Sequence, residues 1–207
     1  MSLILDRRAA LAGLGAAAAA PALPAFAQEA ELPIATGIFT EGDPDAPVHV
    51  LEYASLTCPH CARFHREVYP ELKAQYLDTG KARLEMREVY FDPQGLWAGM
   101  LARCGGEDRY FAFLGVLLDR QRDWALNDPQ AVAGELMRIG RQGGLTDEAM
   151  TECLSSQPAQ RHLVEMYSDY RDDPLLTGTP TLVVEGRKVE NPTFANLSAA
   201  IDAALAG

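Results

Sequence analysis

The sequence predicts an α/β domain interrupted by an inserted all-helical subdomain. Three observations predict it. Apolar residues follow strand spacing at Val48–Ala54 and Ala82–Phe91; helical spacing then runs almost unbroken from about Gln94 to Leu176; strand spacing returns at Thr181 and gives way to one more helix. A helical block between two halves of a mixed sheet is one way to bury a sheet and a helical bundle in a single chain. The expected segments are 28–93 for the first part of the sheet domain, 94–176 for the helical insertion and 177–207 for the second part.

Residues 1–27 read as an export signal. Arg7 and Arg8 make a basic start, Ala9–Ala20 is apolar but too short to span a bilayer, and Ala25-Phe26-Ala27 offers a small-x-small cleavage site. The paired arginines are also a weak twin-arginine signal, weakened by Asp6 before them and by the lack of a following Phe. Export implies an oxidising compartment. Residues 28–47 form a polar lead-in with turns at Gly42-Asp43-Pro44-Asp45 and Pro47.

Val48–Ala54 is a buried strand, since Val48, Val50, Leu51, Tyr53 and Ala54 are apolar. Phe64, Val68, Leu72 and Tyr76 recur every four residues, which predicts one helix closed by Gly80 and kinked at Pro70. Leu84, Met86, Val89 and Phe91 mark the second strand. In the helical block, Tyr110, Phe111, Leu114 and Leu118 form one stripe. Val132, Leu136 and Ile139 form another, entered by Asp128 and Pro129; Thr146 starts a further helix; Leu163, Met166, Tyr167 and Tyr170 form the last stripe. Thr181–Glu185 is a strand, Gly186-Arg187 a turn, and Lys188–Glu190 its hairpin partner. The last helix is expected to be capped by Asn191, opened by Pro192, and to face the core with Phe194, Leu197, Ile201 and Leu205.

The composition, 48% hydrophobic and 23% charged, supports a packed core, and the net charge of -11 argues against nucleic-acid binding. Four cysteines remain after the signal. Cys104 and Cys153 either form a structural disulfide or are two buried free thiols. Cys58-Pro59-His60-Cys61 follows the first strand and opens the helix, so Cys58 sits where unpaired N–H groups and the macrodipole favour a thiolate. Pro59 suits the first helical turn, and His60 can add charge or a hydrogen bond beside the sulfur. A structural zinc site needs a second close ligand pair, which is missing; haem attachment needs His at position 62, which is Ala. A purely structural Cys58–Cys61 bridge closes almost no loop and adds little stability. Thiol–disulfide redox chemistry, with no metal and no cofactor, is the reading these exclusions leave.

Two further features bear on it. Glu52, six residues before Cys58, either faces solvent at a sheet edge or lies buried beneath Cys61, exchanging its proton. Gly178-Thr179-Pro180-Thr181 is either an ordinary strand start or a cis-proline loop facing the cysteines.

Taken together, Glu52-Tyr53-Ala54-Ser55-Leu56-Thr57-Cys58-Pro59-His60-Cys61, the helical block and Gly178-Thr179-Pro180-Thr181 resemble the DsbA-like branch of the thioredoxin superfamily. The resemblance implies a thioredoxin fold with an inserted helical domain. It also implies a monomeric periplasmic dithiol oxidase that donates its disulfide to reduced exported proteins and is reoxidised by a quinone-linked membrane oxidase. It makes Cys58 the nucleophile, Cys61 the resolving thiol, Glu52 the buried acid, and Thr179 and Pro180 the substrate-docking loop. Thr179 stands where the best-known oxidases of the branch carry Val, a feature shared with isomerases. Isomerase or reductase activity, or a redox-inactive chaperone role, are the alternatives.

Overall fold

In the computed structural model, residues 32–125 and 128–207 are described; the export signal expected over 1–27 lies outside them. Among the described residues a five-stranded mixed sheet forms, in the spatial order β1-β3-β2-β4-β5. The strands are β1 (Phe39–Gly42), β2 (Val48–Ala54), β3 (Ala82–Glu88), β4 (Thr181–Val184) and β5 (Arg187–Lys188). β2 and β3 run parallel, and the other pairs are antiparallel.

β1 lies within the segment 28–47 read as a polar lead-in with turns, where the sequence marked no strand. It is a four-residue edge strand in which Phe39 alone is buried, so it leaves no alternating pattern to read. Gly42 ends it with φ +98°, where a side chain would meet the Ala82 carbonyl at 2.9 Å. β2 is interior, between β3 and β4. The two-residue period puts Val48, Val50 and Glu52 on one face and Leu51 and Tyr53 on the other.

The helix after β2 is not continuous. α1 (Pro59–Glu67) ends at Val68, α2 (Tyr69–Leu72) follows, and a π-helical turn (Lys73–Leu77) completes the segment. The break falls two residues before Pro70 rather than at it. The proline ring crowds the carbonyl one turn back, so Pro70 is accommodated as the opening turn of a new helix. This segment and the last helix, α9 (Phe194–Ala206), cover one sheet face, where Phe64, Leu72, Tyr76, Leu197 and Ile201 pack on Val48, Val50, Leu84 and Leu182.

Between β3 and β4 the described chain forms α3 (Pro93–Cys104), α4 (Glu107–Asp119), α5 (Gln121–Trp124), α6 (Pro129–Gln142), α7 (Asp147–Ser155) and α8 (Gln157–Tyr170). Asp92, Asp128, Thr146 and Ser156 cap α3, α6, α7 and α8 through their side chains. Tyr110, Leu114, Leu118, Val132, Leu136 and Ile139 meet in one core, whereas Tyr170 of α8 reaches the opposite sheet face beside Tyr53 and Val183. Phe111, Met166 and Tyr167 are only partly buried.

Two boundaries near the C-terminus differ from expectation. The hairpin turn is Glu185-Gly186, both at positive φ (46° and 74°), one residue earlier than the sequence suggests. α9 is capped by Thr193, whose hydroxyl accepts from the Asn196 N–H at 3.3 Å, while Asn191 sits at φ +48° in the preceding turn. Leu205, expected in the core, is exposed on the last turn.

Candidate active site

The loop Ser55–Cys58 turns the chain from β2 into α1 and is fixed from three sides. Within the loop, the Cys58 N–H donates to the Ser55 carbonyl at 3.1 Å. From the start of α3, Asp92 accepts from the Thr57 hydroxyl at 2.6 Å while its other oxygen caps Gly95 at 2.7 Å. From α5, the buried Gln121 amide donates to the carbonyls of Leu56 (2.7 Å) and Cys58 (2.9 Å). Sequence reasoning missed Gln121, because a lone Gln in a polar stretch carries no periodic signal.

Cys58 is the N-cap residue of α1 and makes no side-chain cap, and Pro59 occupies the first turn. The unpaired N–H groups of His60 and Cys61 therefore lie near its sulfur and favour its thiolate. Cys58 is half-buried and Cys61 fully buried, and both are free thiols. Their thiols diverge. The Cys61 S–H donates to Cys58 and, against some burial cost, the Thr179 side chain and those two backbone N–H groups assist; together they pull Cys58 down to about 5. Burial, the Cys58 partner and the negative charge of Glu52 push Cys61 far up, so it stays protonated. The His60 ring turns to Arg63, whose guanidinium donates to its Nδ1 at 3.0 Å.

Thr179 and Pro180 lie against this pair. The Thr179–Pro180 bond is cis, and as a thiol Cys58 donates to the Thr179 carbonyl at 3.3 Å. Glu52 is fully buried, as expected of an interior strand and not of an edge. It does not stand alone: His65 of α1 places Nε2 at 3.2 and 3.1 Å from the two carboxylate oxygens. His65 went unread in the sequence, although its position four residues after Cys61 puts it on the same helical face.

Away from this centre, Cys104 of α3 and Cys153 of α7 are bonded, with Cα atoms 6.1 Å apart. Beside them Arg103 is buried and donates to Glu88 and to the carbonyls of Ala35 (3.2 Å) and Gly37 (2.9 Å). Burial works against its charge, but Glu88 outweighs it and the guanidinium is held more firmly protonated than usual. Among the described residues no group of three or more His, Cys, Asp or Glu converges as a metal site, and no helix is long and apolar enough to cross a membrane.

An α/β fold with a helical insertion and an asymmetric Cys-x-x-Cys pair at a helix start, facing a cis-proline loop, defines a thioredoxin-type protein. Residues 35–203 match the Thioredoxin family model, and the chain belongs to that family. It is 36% identical over 165 residues to a putative protein-disulfide oxidoreductase of Rickettsia bellii, a match covering 79% of this chain and 63% of that protein's length. It is 25% identical to disulfide bond formation protein D of Bacillus subtilis, over 72% of this chain and 68% of that one. The crystal structure of Wolbachia pipientis alpha-DsbA1 superposes with a TM-score of 0.74 at 28% identity, covering 82% of this chain and 92% of that chain. The fold is thus a thioredoxin fold of the DsbA type.

Proposed function

We propose that the protein is a periplasmic dithiol oxidase that passes a Cys58–Cys61 disulfide to reduced exported proteins, acts as a monomer, and is reoxidised by a quinone-linked membrane oxidase. The carrying observation is the asymmetry of the pair: a half-buried Cys58 at a helix start, pulled down to about 5, beside a buried Cys61 that stays a thiol. A stabilised Cys58 thiolate stabilises the reduced protein, and a stabilised reduced form makes the disulfide an oxidant. The named relatives agree with protein-disulfide chemistry.

The reaction follows from exchange chemistry. A client thiolate attacks Cys58 Sγ, the client–Cys58 bond forms, and the electron pair of the broken Cys58–Cys61 bond goes to Cys61, which takes up a proton. Glu52 lies behind Cys61 as the group that exchanges this proton. A second client thiolate then attacks the client sulfur of the mixed disulfide, and Cys58 leaves as its stabilised thiolate. Thr179 and Pro180 border the sulfur and receive the client backbone in extended form. Pro59 and His60 shape the helix start that feeds N–H groups to Cys58. Cys104–Cys153 is a structural bridge of the insertion.

The test is equilibration of the Cys58–Cys61 couple with glutathione, together with turnover on a reduced, unfolded disulfide protein. The oxidase reading expects a couple more oxidising than glutathione and net disulfide formation. Preferential reshuffling of a scrambled substrate would establish an isomerase instead, a strongly reducing couple a reductase, and protection of client without thiol change a chaperone.

A further inference from the structure

α1 carries Cys61 and His65 one turn apart on its inner face, and β2 presents Glu52 to that same face. The His65 and Glu52 side chains are 4% and 0% exposed. His65 Nε2 reaches both carboxylate oxygens, while His65 Nδ1 is buried with no hydrogen-bond partner. The imidazole is stacked on the Tyr69 ring, 4.6 Å between centroids at 22°. The titratable groups around the pair are Cys61 on α1, Tyr69 on α2 and, beyond Tyr69, Glu41 on β1, which accepts from the Tyr69 hydroxyl and pairs with Lys73 at 3.1 Å.

This geometry selects a protonation state. A proton on Nδ1 would be a buried donor with no acceptor, which is unfavourable. A proton on Nε2 is shared between two carboxylate oxygens. The imidazole is then neutral, and its Nε2–H fixes the Glu52 carboxyl in place. A further proton can settle on one Glu52 oxygen while Nε2–H still donates to the other, so the carboxyl changes charge without the imidazole turning.

We infer that His65 is the positioning residue of the proton transfer at Cys61: its Nε2–H holds the Glu52 carboxylate, ionised and oriented, to take the Cys61 proton and return it. The inference rests on the proposed role of Glu52. When the disulfide is re-formed from a mixed disulfide at Cys58, Cys61 Sγ attacks Cys58 Sγ, the outgoing sulfur leaves with its electron pair, and the Cys61 proton passes to Glu52. When a client opens the disulfide, the electron pair goes to Cys61 and Glu52 returns the proton.

The experiment is single-turnover release of glutathione from a Cys58–glutathione mixed disulfide of the full protein, followed against pH; it needs neither a client nor a reoxidising partner. His65→Phe keeps a ring against Tyr69 but removes the donor. It is expected to slow release by about 10- to 100-fold and to move the pH profile of this step upward, with alkylation of Cys58 in the reduced protein at the wild-type rate. His65→Gln, which restores an amide donor, is expected to recover most of the rate, and His65→Phe with Glu52→Gln to be no slower than Glu52→Gln alone. A folded His65→Phe protein with unchanged rate and profile overturns the inference while leaving Glu52 its role, if Glu52→Gln is slow. An unaffected Glu52→Gln protein overturns both. Should His65→Phe fail to fold, nitrogen NMR of the wild-type imidazole decides: a neutral ring protonated on Nε2 supports the inference, and an Nδ1–H tautomer refutes it.

Discussion

Replacing Cys61 by alanine removes the largest of the contributions that hold Cys58 as a thiolate. A hydrogen bond to a charged group contributes about 1.5–3 kcal/mol, and one pKa unit is about 1.4 kcal/mol, so the Cys58 midpoint should rise by about 1–2 units. From about 5 it should therefore reach roughly 6–7 and stop short of the ordinary 9.0, because the His60 and position-61 backbone N–H groups and Thr179 remain. Cys61→Ser, which keeps a donor, should fall between. Thiolate absorbance of the reduced proteins against pH reads the midpoints directly, with Cys104–Cys153 left intact. A Cys61→Ala midpoint still near 5 would show that the neighbouring thiol is not the principal donor; a return to about 9 would remove the helix start from the account. The same shift links to stability. The folded pKa lies below the unfolded one, so the thiolate stabilises the reduced protein fully above about pH 9, and this stabilisation is lost as pH falls through about 5. Four units correspond to roughly 5 kcal/mol, which solvent screening at a half-exposed sulfur reduces to about 2–3 kcal/mol.

Three other outcomes follow from the packing. Gln121→Leu strips the donor from the Leu56 and Cys58 carbonyls and should cost about 2–4 kcal/mol in denaturant unfolding; a loss below about 0.5 kcal/mol would mean the two bonds are dispensable. Replacing both Cys104 and Cys153 by alanine opens a crosslink across 49 positions and should cost about 4 kcal/mol with no change in the Cys58 midpoint, checked by the same unfolding and absorbance measurements. Arg103→Met leaves the Glu88 carboxylate buried and uncompensated, at a cost of about 3–5 kcal/mol, and adding Glu88→Leu should restore much of it, which thermal unfolding of the two variants compares.

The elements that carry strong periodicity were legible in the sequence: β2, most of β3, β4 and the stripes of α4, α6 and α8. So was the Cys58–Cys61 pair, because a strand, a tight turn and a helix start leave a local signature. The missing parts are those whose partners are distant. β1 exists because β3 offers an open edge, and only Phe39 marks it. Glu52 could be read either way from its strand alone; it is buried because β3 and β4 flank β2, and because His65 supplies a partner. Gln121 and Arg103 look like surface residues in sequence and become interior ones through carbonyls and a carboxylate contributed by other segments. The early break before Pro70 and the Thr193 cap follow from local sterics, but several neighbouring residues offered equivalent local chemistry.

The grip of Gln121 and Asp92 on the loop before Cys58 bears on how this architecture can be taken apart. The insertion is not a detachable module laid over a self-sufficient sheet domain. Cutting it away at its two junctions would bare the Leu56 and Cys58 carbonyls, which Gln121 now covers, at and next to the Cys58 sulfur. A miniaturised version would have to replace those contacts from within the sheet domain. For a designer, the transferable unit is therefore the loop together with the helical residues that brace it, and grafting the Cys58–Cys61 tetrapeptide alone would carry over the sulfurs without their setting.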